Sequence, residues 1–88
     1  MIRKRVVVRG RVQGVFFRDS VRRGALQEGV TGWVGNRSDG AVEAVFEGPP
    51  AAVGRMVELA RRGPSGATVE SVEVFDETPE GIPDFRIR

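Results

Sequence analysis

Hydrophobic and polar residues alternate near the start of the chain. Val6 and Val8 fall on one side of an extended segment, opposite Arg5 and Arg9. A period of two residues is typical of a strand that has one covered face. We therefore predict a first strand over residues 2–9.

The next apolar residues recur at the spacing of a helix. Phe17, Val21 and Ala25 lie four positions apart, which places them on one face of a helix over residues 17–28. Gly24 destabilises the interior of that helix by about 1 kcal/mol relative to alanine. We therefore expect a close packing contact at this glycine.

The middle of the chain predicts a hairpin. Residues 31–36 and 41–47 are extended runs, and the segment between them ends in Asp39-Gly40, a good hairpin signal. A second helix is predicted to begin at Pro49-Pro50, because proline is well accommodated at a helix start. Its buried stripe and its end are predicted at Val53, Met56, Val57, Ala60 and Gly63-Pro64.

A strand over residues 69–75 completes the pattern, and residues 85–88 are predicted to add a short last strand. The order strand–helix–strand–strand–helix–strand, with right-handed crossovers, predicts one α+β domain over residues 1–88. Its fold is a ferredoxin-like (split βαβ) two-layer sandwich, βαββαβ, with a mostly antiparallel sheet and two helices on one face. We expect the open face of the sheet to be solvated and Trp33 and Phe46 to lie in the core; the expected open-face residues are Arg5, Arg9, Glu43 and Glu47.

Composition limits the chemistry that the chain can perform. The 88 residues include no cysteine and no histidine, so the commonest general base and the usual zinc ligands are missing. The net charge of +2 is too small to argue for nucleic acid by itself. No apolar run approaches the roughly 20 residues of a membrane span, and the N-terminus lacks the features of a signal peptide. We expect a cytoplasmic monomer with no membrane or nucleic-acid partner.

The loop between the first strand and the first helix, residues 10–16, is suited to binding an anion; we call it the glycine loop. Its two glycines, Gly10 and Gly14, tolerate positive φ, so that successive backbone N–H groups can face one point. The following helix adds unpaired N–H groups and the positive end of its dipole. Arg18 lies in the first turn of that helix, where a cation is unfavourable unless an anion binds, and arginine matches phosphate bidentately.

Two long segments make this pattern specific. The segment Gly10-Arg11-Val12-Gln13-Gly14-Val15-Phe16-Phe17-Arg18 resembles the signature loop of the acylphosphatase family. The segment Gly32-Trp33-Val34-Gly35-Asn36-Arg37-Ser38-Asp39-Gly40-Ala41-Val42-Glu43 resembles the second segment of that family, at a fitting distance along the chain. The resemblance covers nearly the whole sequence and implies a ferredoxin-like fold.

The resemblance also implies a reaction, which is the hydrolysis of the carboxyl–phosphate bond of acyl phosphates to a carboxylate and inorganic phosphate. It needs no cofactor and no metal. Carried onto this sequence, Arg18 and Asn36 are the catalytic residues, and Asn36 orients the attacking water. Phosphate binds to Arg18 and to the loop and helix start, namely Gln13, Gly14, Val15, Phe16 and Phe17. We expect inorganic phosphate or sulfate to occupy the same site, and we expect the substrate phosphate to serve as the base.

Other interpretations of the same residues remain open at this point. Arg18 alone could be a surface residue balanced by Asp19, and Asn36 could be a turn residue only. The acidic residues near the C-terminus could suggest a metal site, although the interleaved prolines and glycine favour a solvated loop; they are Asp76, Glu77, Glu80 and Asp84.

Two other functions share the predicted topology. A ligand-binding module without turnover is one, and such a domain can be part of a larger maturation enzyme. The presence of both Arg18 and Asn36, in a chain that ends soon after the last strand, favours a free-standing enzyme. RNA binding is the other; it requires stacking aromatics on the open face, which we do not expect here, and a characteristic aromatic motif that the sequence lacks.

Overall fold

The computed structural model describes residues 1–88 and confirms the predicted fold class. A five-stranded sheet has the order β4-β1-β3-β2-β5, in which all neighbours are antiparallel except β2 and β5. The elements along the chain are β1 (Ile2–Arg11), α1 (Phe17–Glu28), β2 (Thr31–Asn36), β3 (Val42–Gly48), α2 (Pro50–Arg62), β4 (Thr68–Glu77) and β5 (Phe85–Ile87).

The two helices and one face of the sheet enclose the hydrophobic core. Val6 and Val8 of β1 are buried there, as are Phe17 and Val21 of α1, as the two periodicities predicted. The predicted apolar residues of α2 are buried in the same cluster, as is Phe46 of β3. Neither helix has the length and apolar character needed to cross a membrane.

Gly10 does not end β1 as predicted. The strand continues to Arg11 and keeps its pairing with β4, but the register shifts between Arg9 and Gly10. Gly10 has φ 133°, and a Cβ at this position would clash with the backbone of Thr68. The glycine therefore forms a bulge, which lets the chain bend toward the loop that follows.

Gly24 confirms the expectation of a close contact between the helices. A Cβ added there would lie 2.6 Å from Cδ1 of Leu59 on α2. Even alanine would require the end of the Leu59 side chain to shift, so glycine allows this close contact at its cost in helix propensity.

The prediction of a solvated open face is wrong for Glu47. This side chain is 1% exposed and accepts hydrogen bonds from the guanidinium of Arg3 at 2.8 Å and from the backbone N–H groups of Glu80, Gly81 and Ile82 at 2.9, 3.0 and 3.3 Å. Burial opposes its ionisation, but these donors together lower the pKa of Glu47 to about 2.

Glu47 is covered because the chain has to cross the sheet. β4 lies at one edge and β5 at the other, so residues 78–84 pass over the strands between them. Glu47 binds this segment midway, and Gly32 N–H donates to the carbonyl of Asp84 at 2.9 Å where β5 begins. The buried carboxylate thus fixes the path that carries β5 to its place beside β2.

The open face also differs from expectation in its aromatic residues. Trp33 is not in the core: it is only half-buried, because Val34 takes the core-facing position in β2. The guanidinium of Arg88 lies 4.0 Å from the ring centroid of Trp33, and that of Arg5 lies 4.3 Å from the ring centroid of Phe75. Two aromatic side chains therefore do lie on the open face of the sheet, and each is covered by an arginine.

Replacing Glu47 with glutamine is expected to lower the free energy of unfolding by about 3 kcal/mol at pH 7, because Arg3 loses its buried partner. The carboxylate has a lowered pKa, so its contribution is complete above its ordinary pKa of 4.5 and disappears as the pH falls toward about 2. Urea unfolding between pH 7 and pH 2 measures both effects. The exposed Glu58→Gln variant serves as the control, and a difference that stays constant down to pH 2 would contradict the assignment.

Candidate active site

The glycine loop has the backbone conformation that an anion cradle needs. Gly14 has φ 74° and Phe16 has φ 61°, and Phe16 is the only residue other than glycine with a positive φ. No carbonyl or side chain of the protein accepts a hydrogen bond from the N–H groups of Gln13, Gly14, Val15 or Phe16. Four donors in one turn of chain are thus free to bind an anion.

Phe16 also shows that the loop is held under strain. A left-handed conformation costs a residue with a bulky side chain about 1 kcal/mol or more. Its ring does not compensate by packing, since Phe16 is 82% exposed. It is the N-cap of α1, without a side-chain hydrogen bond to the helix, so the first N–H groups of α1 also lack a capping partner.

Arg18 lies at the second position of α1, next to these groups. Its side chain is half-buried and forms no ion pair. The neighbouring Asp19, which could have balanced it, pairs instead with Arg23 at 3.1 Å. The positive charge of Arg18 therefore lies at the positive end of the helix dipole without a carboxylate paired to its guanidinium.

Asn36 approaches the loop from a different part of the fold. It is the last residue of β2, pairs with Val42 of β3 and has an exposed side chain. The turn that follows is held by Asp39, whose carboxylate accepts hydrogen bonds from Arg37, from the N–H of Ala41 and from Arg9. These three donors, in that order, lower the pKa of Asp39 to about 2. The Asp39 carboxylate therefore stays ionised at physiological pH and keeps its hydrogen bonds across the turn.

A pocket of about 300 Å³ joins the two parts of the site. Arg18 and Asn36 both line it, together with Gly14, Phe16 and Phe17. Of the predicted phosphate-binding residues, Gln13 and Val15 do not line the pocket. The side chain of Gln13 turns to the hairpin, and Val15 packs against the hydrophobic core.

The comparisons with known proteins agree with this geometry. The model of the acylphosphatase family matches residues 4–87. The chain belongs to the acylphosphatase family. An acylphosphatase of Gloeobacter violaceus is 52% identical over 98% of this chain and 92% of its own length.

Solved structures give the same result. The acylphosphatase of Bacillus subtilis is 39% identical, with a TM-score of 0.96 over 100% of this chain and 99% of its own. A structure of full-length HypF in its phosphate- and nucleotide-bound form matches with 26% identity and a TM-score of 0.90, but only over 12% of its length. The chain is thus an enzyme of the acylphosphatase family, similar over nearly the full length to the acylphosphatases of Gloeobacter violaceus and Bacillus subtilis.

Two further residues line this pocket and were not predicted, Asp19 and Ile87; Val12, which also lines it, lies within the predicted loop. Val12 is fully buried at the base, whereas Ile87 is 43% exposed at the rim. Ile87 belongs to β5, which is parallel to β2 and pairs Ile87 with Val34. Sequence spacing carries no signal for Ile87, because its position depends on the crossing of residues 78–84.

The acidic residues near the C-terminus serve this acylphosphatase fold as ion-pair partners. Asp76 accepts a hydrogen bond from Lys4 at 2.7 Å, and Glu77 bonds to both Arg3 and Arg5 at 2.8 Å. The two arginines hold the pKa of Glu77 below its ordinary value. Only one carboxylate, that of Asp19, lines the pocket.

Proposed function

We propose that this protein hydrolyses the carboxyl–phosphate bond of small acyl phosphates, with Arg18 binding the phosphoryl group and Asn36 orienting the attacking water. The observation that carries the proposal is the meeting of Arg18, Asn36 and two loop residues with unpaired amides, Gly14 and Phe16, at one pocket. The glycine loop and the side-chain amide of Asn36 reach the pocket from different elements. A phosphoryl group held by the loop is therefore open to attack by a water held by Asn36.

Arg18 and the loop perform the part of the reaction that depends on charge. Phosphoryl transfer passes through a loose transition state whose charge lies on the three equatorial oxygens. The guanidinium of Arg18 and the N–H groups of Gln13, Gly14, Val15 and Phe16 are donors for those oxygens, and the N-terminus of α1 adds its dipole. Because no carboxylate pairs with Arg18, its charge is available to the phosphoryl group.

Asn36 performs the part that depends on orientation. Its side-chain amide can hold a water by hydrogen bonds, but it cannot accept the proton of that water. The water oxygen attacks phosphorus, the bond between phosphorus and the acyl oxygen breaks, and the carboxylate leaves with the bonding electrons. The proton passes to a phosphoryl oxygen of the substrate, so that no protein base is needed. This division of labour fits a chain that has neither histidine nor cysteine.

The pocket also suits a mechanism without a metal ion. Asp19 is the one acidic side chain in the lining, and it is already paired with Arg23. Magnesium is ordinarily held by carboxylates together with the substrate phosphates. We propose in addition that the protein acts as a cytoplasmic monomer and that inorganic phosphate binds as a product inhibitor.

The proposed function predicts turnover of acetyl phosphate and benzoyl phosphate that EDTA does not diminish. Release of inorganic phosphate is measured with and without the chelator, and again after adding Mg²⁺. Inorganic phosphate is expected to inhibit competitively, because it occupies the same cradle. Loss of turnover in EDTA, restored by Mg²⁺, would overturn the metal-free mechanism, and no hydrolysis under any of these conditions would overturn the proposed function.

A further inference from the structure

The side chain of Gln13 connects the two halves of the site. Its Nε2 donates to the carbonyl of Arg37 at 2.8 Å and to the carbonyl of Ala41 at 3.0 Å. A glutamine amide has two N–H donors, so both are used. The two carbonyls lie on either side of the hairpin turn, and Arg37 directly follows Asn36.

No other hydrogen bond holds the glycine loop to this turn. The ladder between β1 and β3 ends at the pair Val8 and Val42, before the loop begins. Beyond that pair the backbone of β1 remains bonded only to β4, as far as Arg11 and Thr68, and the exposed side chain of Arg9, before the loop begins, donates to Asp39 of the turn at 3.1 Å. Gln13, five residues after Val8, is the residue of the glycine loop itself that bonds to the turn.

The fold itself does not depend on these two bonds. The carbonyl of Ala41 also accepts from the N–H of Arg37 at 2.8 Å, and the carbonyl of Arg37 accepts from Gly40 at 3.2 Å. Removing the amide of Gln13 therefore leaves neither carbonyl without a partner, and the cost in stability is that of two ordinary hydrogen bonds. What is lost is the constraint between the loop and the hairpin.

We propose that Gln13 is a positioning residue whose side chain sets the placement of Asn36 relative to the phosphoryl group held in the glycine loop. This inference rests on the proposed function and adds to it a role for a side chain that does not line the pocket. Gln13 acts through Asn36: with its amide in place, the water and the phosphorus are held at a fixed separation. A displacement of about 1 Å at a reacting centre can reduce a rate roughly 100-fold.

The test is a double-mutant cycle with Gln13→Met and Asn36→Ala. Methionine has a length similar to that of glutamine but no donor. We expect Gln13→Met to lower kcat for benzoyl phosphate by roughly 10- to 100-fold while the inhibition constant of inorganic phosphate changes little. In the Asn36→Ala background the same substitution is expected to lower kcat by less than about twofold, since the group it positions is gone.

Controls separate positioning from a loss of structure. Gln27, the other glutamine of the chain, lies exposed on α1, and its side chain forms no hydrogen bond. Gln27→Met therefore makes the same chemical change without removing a bond between the loop and the hairpin. We expect it to keep wild-type kcat. If Gln13→Met does not fold, Gln13→Ala replaces it in the cycle.

The outcomes distinguish this inference from the proposed function. An equal fall in kcat in both backgrounds, or an unchanged kcat in Gln13→Met, overturns the positioning role while leaving acyl phosphate hydrolysis intact. A parallel loss of phosphate inhibition also overturns it, because Gln13 would then shape the cradle itself. Absence of hydrolysis in the wild-type protein overturns the proposed function and the role of Gln13 with it.

Discussion

Replacing Arg18 with alanine is expected to lower kcat/KM for acyl phosphates by about 1,000-fold and to abolish inhibition by millimolar phosphate. The guanidinium of Arg18 is the one cationic group that lines the pocket, and it has no carboxylate partner. The loop amides remain in the variant, but they carry only partial charges, so the charge on the equatorial oxygens loses its strongest stabilisation.

The same substitution is expected to stabilise the free protein slightly. A cation in the first turn opposes the helix dipole by about 0.3–1 kcal/mol, and alanine is also a better helix former than arginine. Urea unfolding should therefore give Arg18→Ala a free energy of unfolding equal to or above that of the wild type without phosphate. With phosphate present the order should reverse, because only the wild type is stabilised by binding.

Two variants make the assignment specific. Arg18→Lys keeps the charge but not the paired hydrogen bonds, so its activity should lie between those of the wild type and Arg18→Ala. Arg22→Ala removes an exposed arginine one turn further along the same helix and should retain activity. A destabilised Arg18→Ala protein with near-normal phosphate affinity would show that Arg18 has a structural role instead.

The fold was predictable from local patterns because most of its elements obey one period each. The spacing of Phe17, Val21 and Ala25 fits a helix and not a strand, and α1 has the predicted bounds. The hairpin at Asp39-Gly40 was also predictable, since it depends only on residues that are neighbours in the sequence. Errors at these elements are confined to one or two residues at the ends of strands.

Glu47 marks the limit of such patterns. The alternation of residues in β3 correctly places Glu47 on the open face, where it lies opposite Arg3 of β1. Its burial does not follow, since the covering residues Glu80, Gly81 and Ile82 lie more than thirty positions later in the chain. A buried carboxylate requires several donors, and no local period reveals that three backbone N–H groups will converge on it.

Trp33 was misplaced for a different reason. Its residue type suggests burial, but its position relative to Val34 assigns it to the open face, and the strand period prevailed over residue type. Within the site, Arg18 and Asn36 were recognisable from motifs. The place of Ile87 in the pocket and the hydrogen bonds of Gln13 to the hairpin were not recognisable, because both depend on contacts between distant segments.

Replacing Asn36 with alanine should lower kcat by about 100- to 1,000-fold while sparing phosphate binding. Asn36 lies at the end of β2, and its backbone pairing with Val42 does not need the side chain, so the fold should be retained. The proposed phosphate cradle is built from other elements, namely the glycine loop and the start of α1. The variant should therefore keep the inhibition constant of inorganic phosphate, unlike Arg18→Ala.

Comparing the two variants tests whether binding and water orientation are separate functions. Steady-state kinetics with benzoyl phosphate give kcat, and inhibition by phosphate gives the affinity of the cradle. Ser38→Ala, at an exposed position in the same turn, should match the wild type in both measurements. If phosphate affinity fell equally in Asn36→Ala and Arg18→Ala, Asn36 would belong to the cradle, and orientation of the water would have to come from the loop itself.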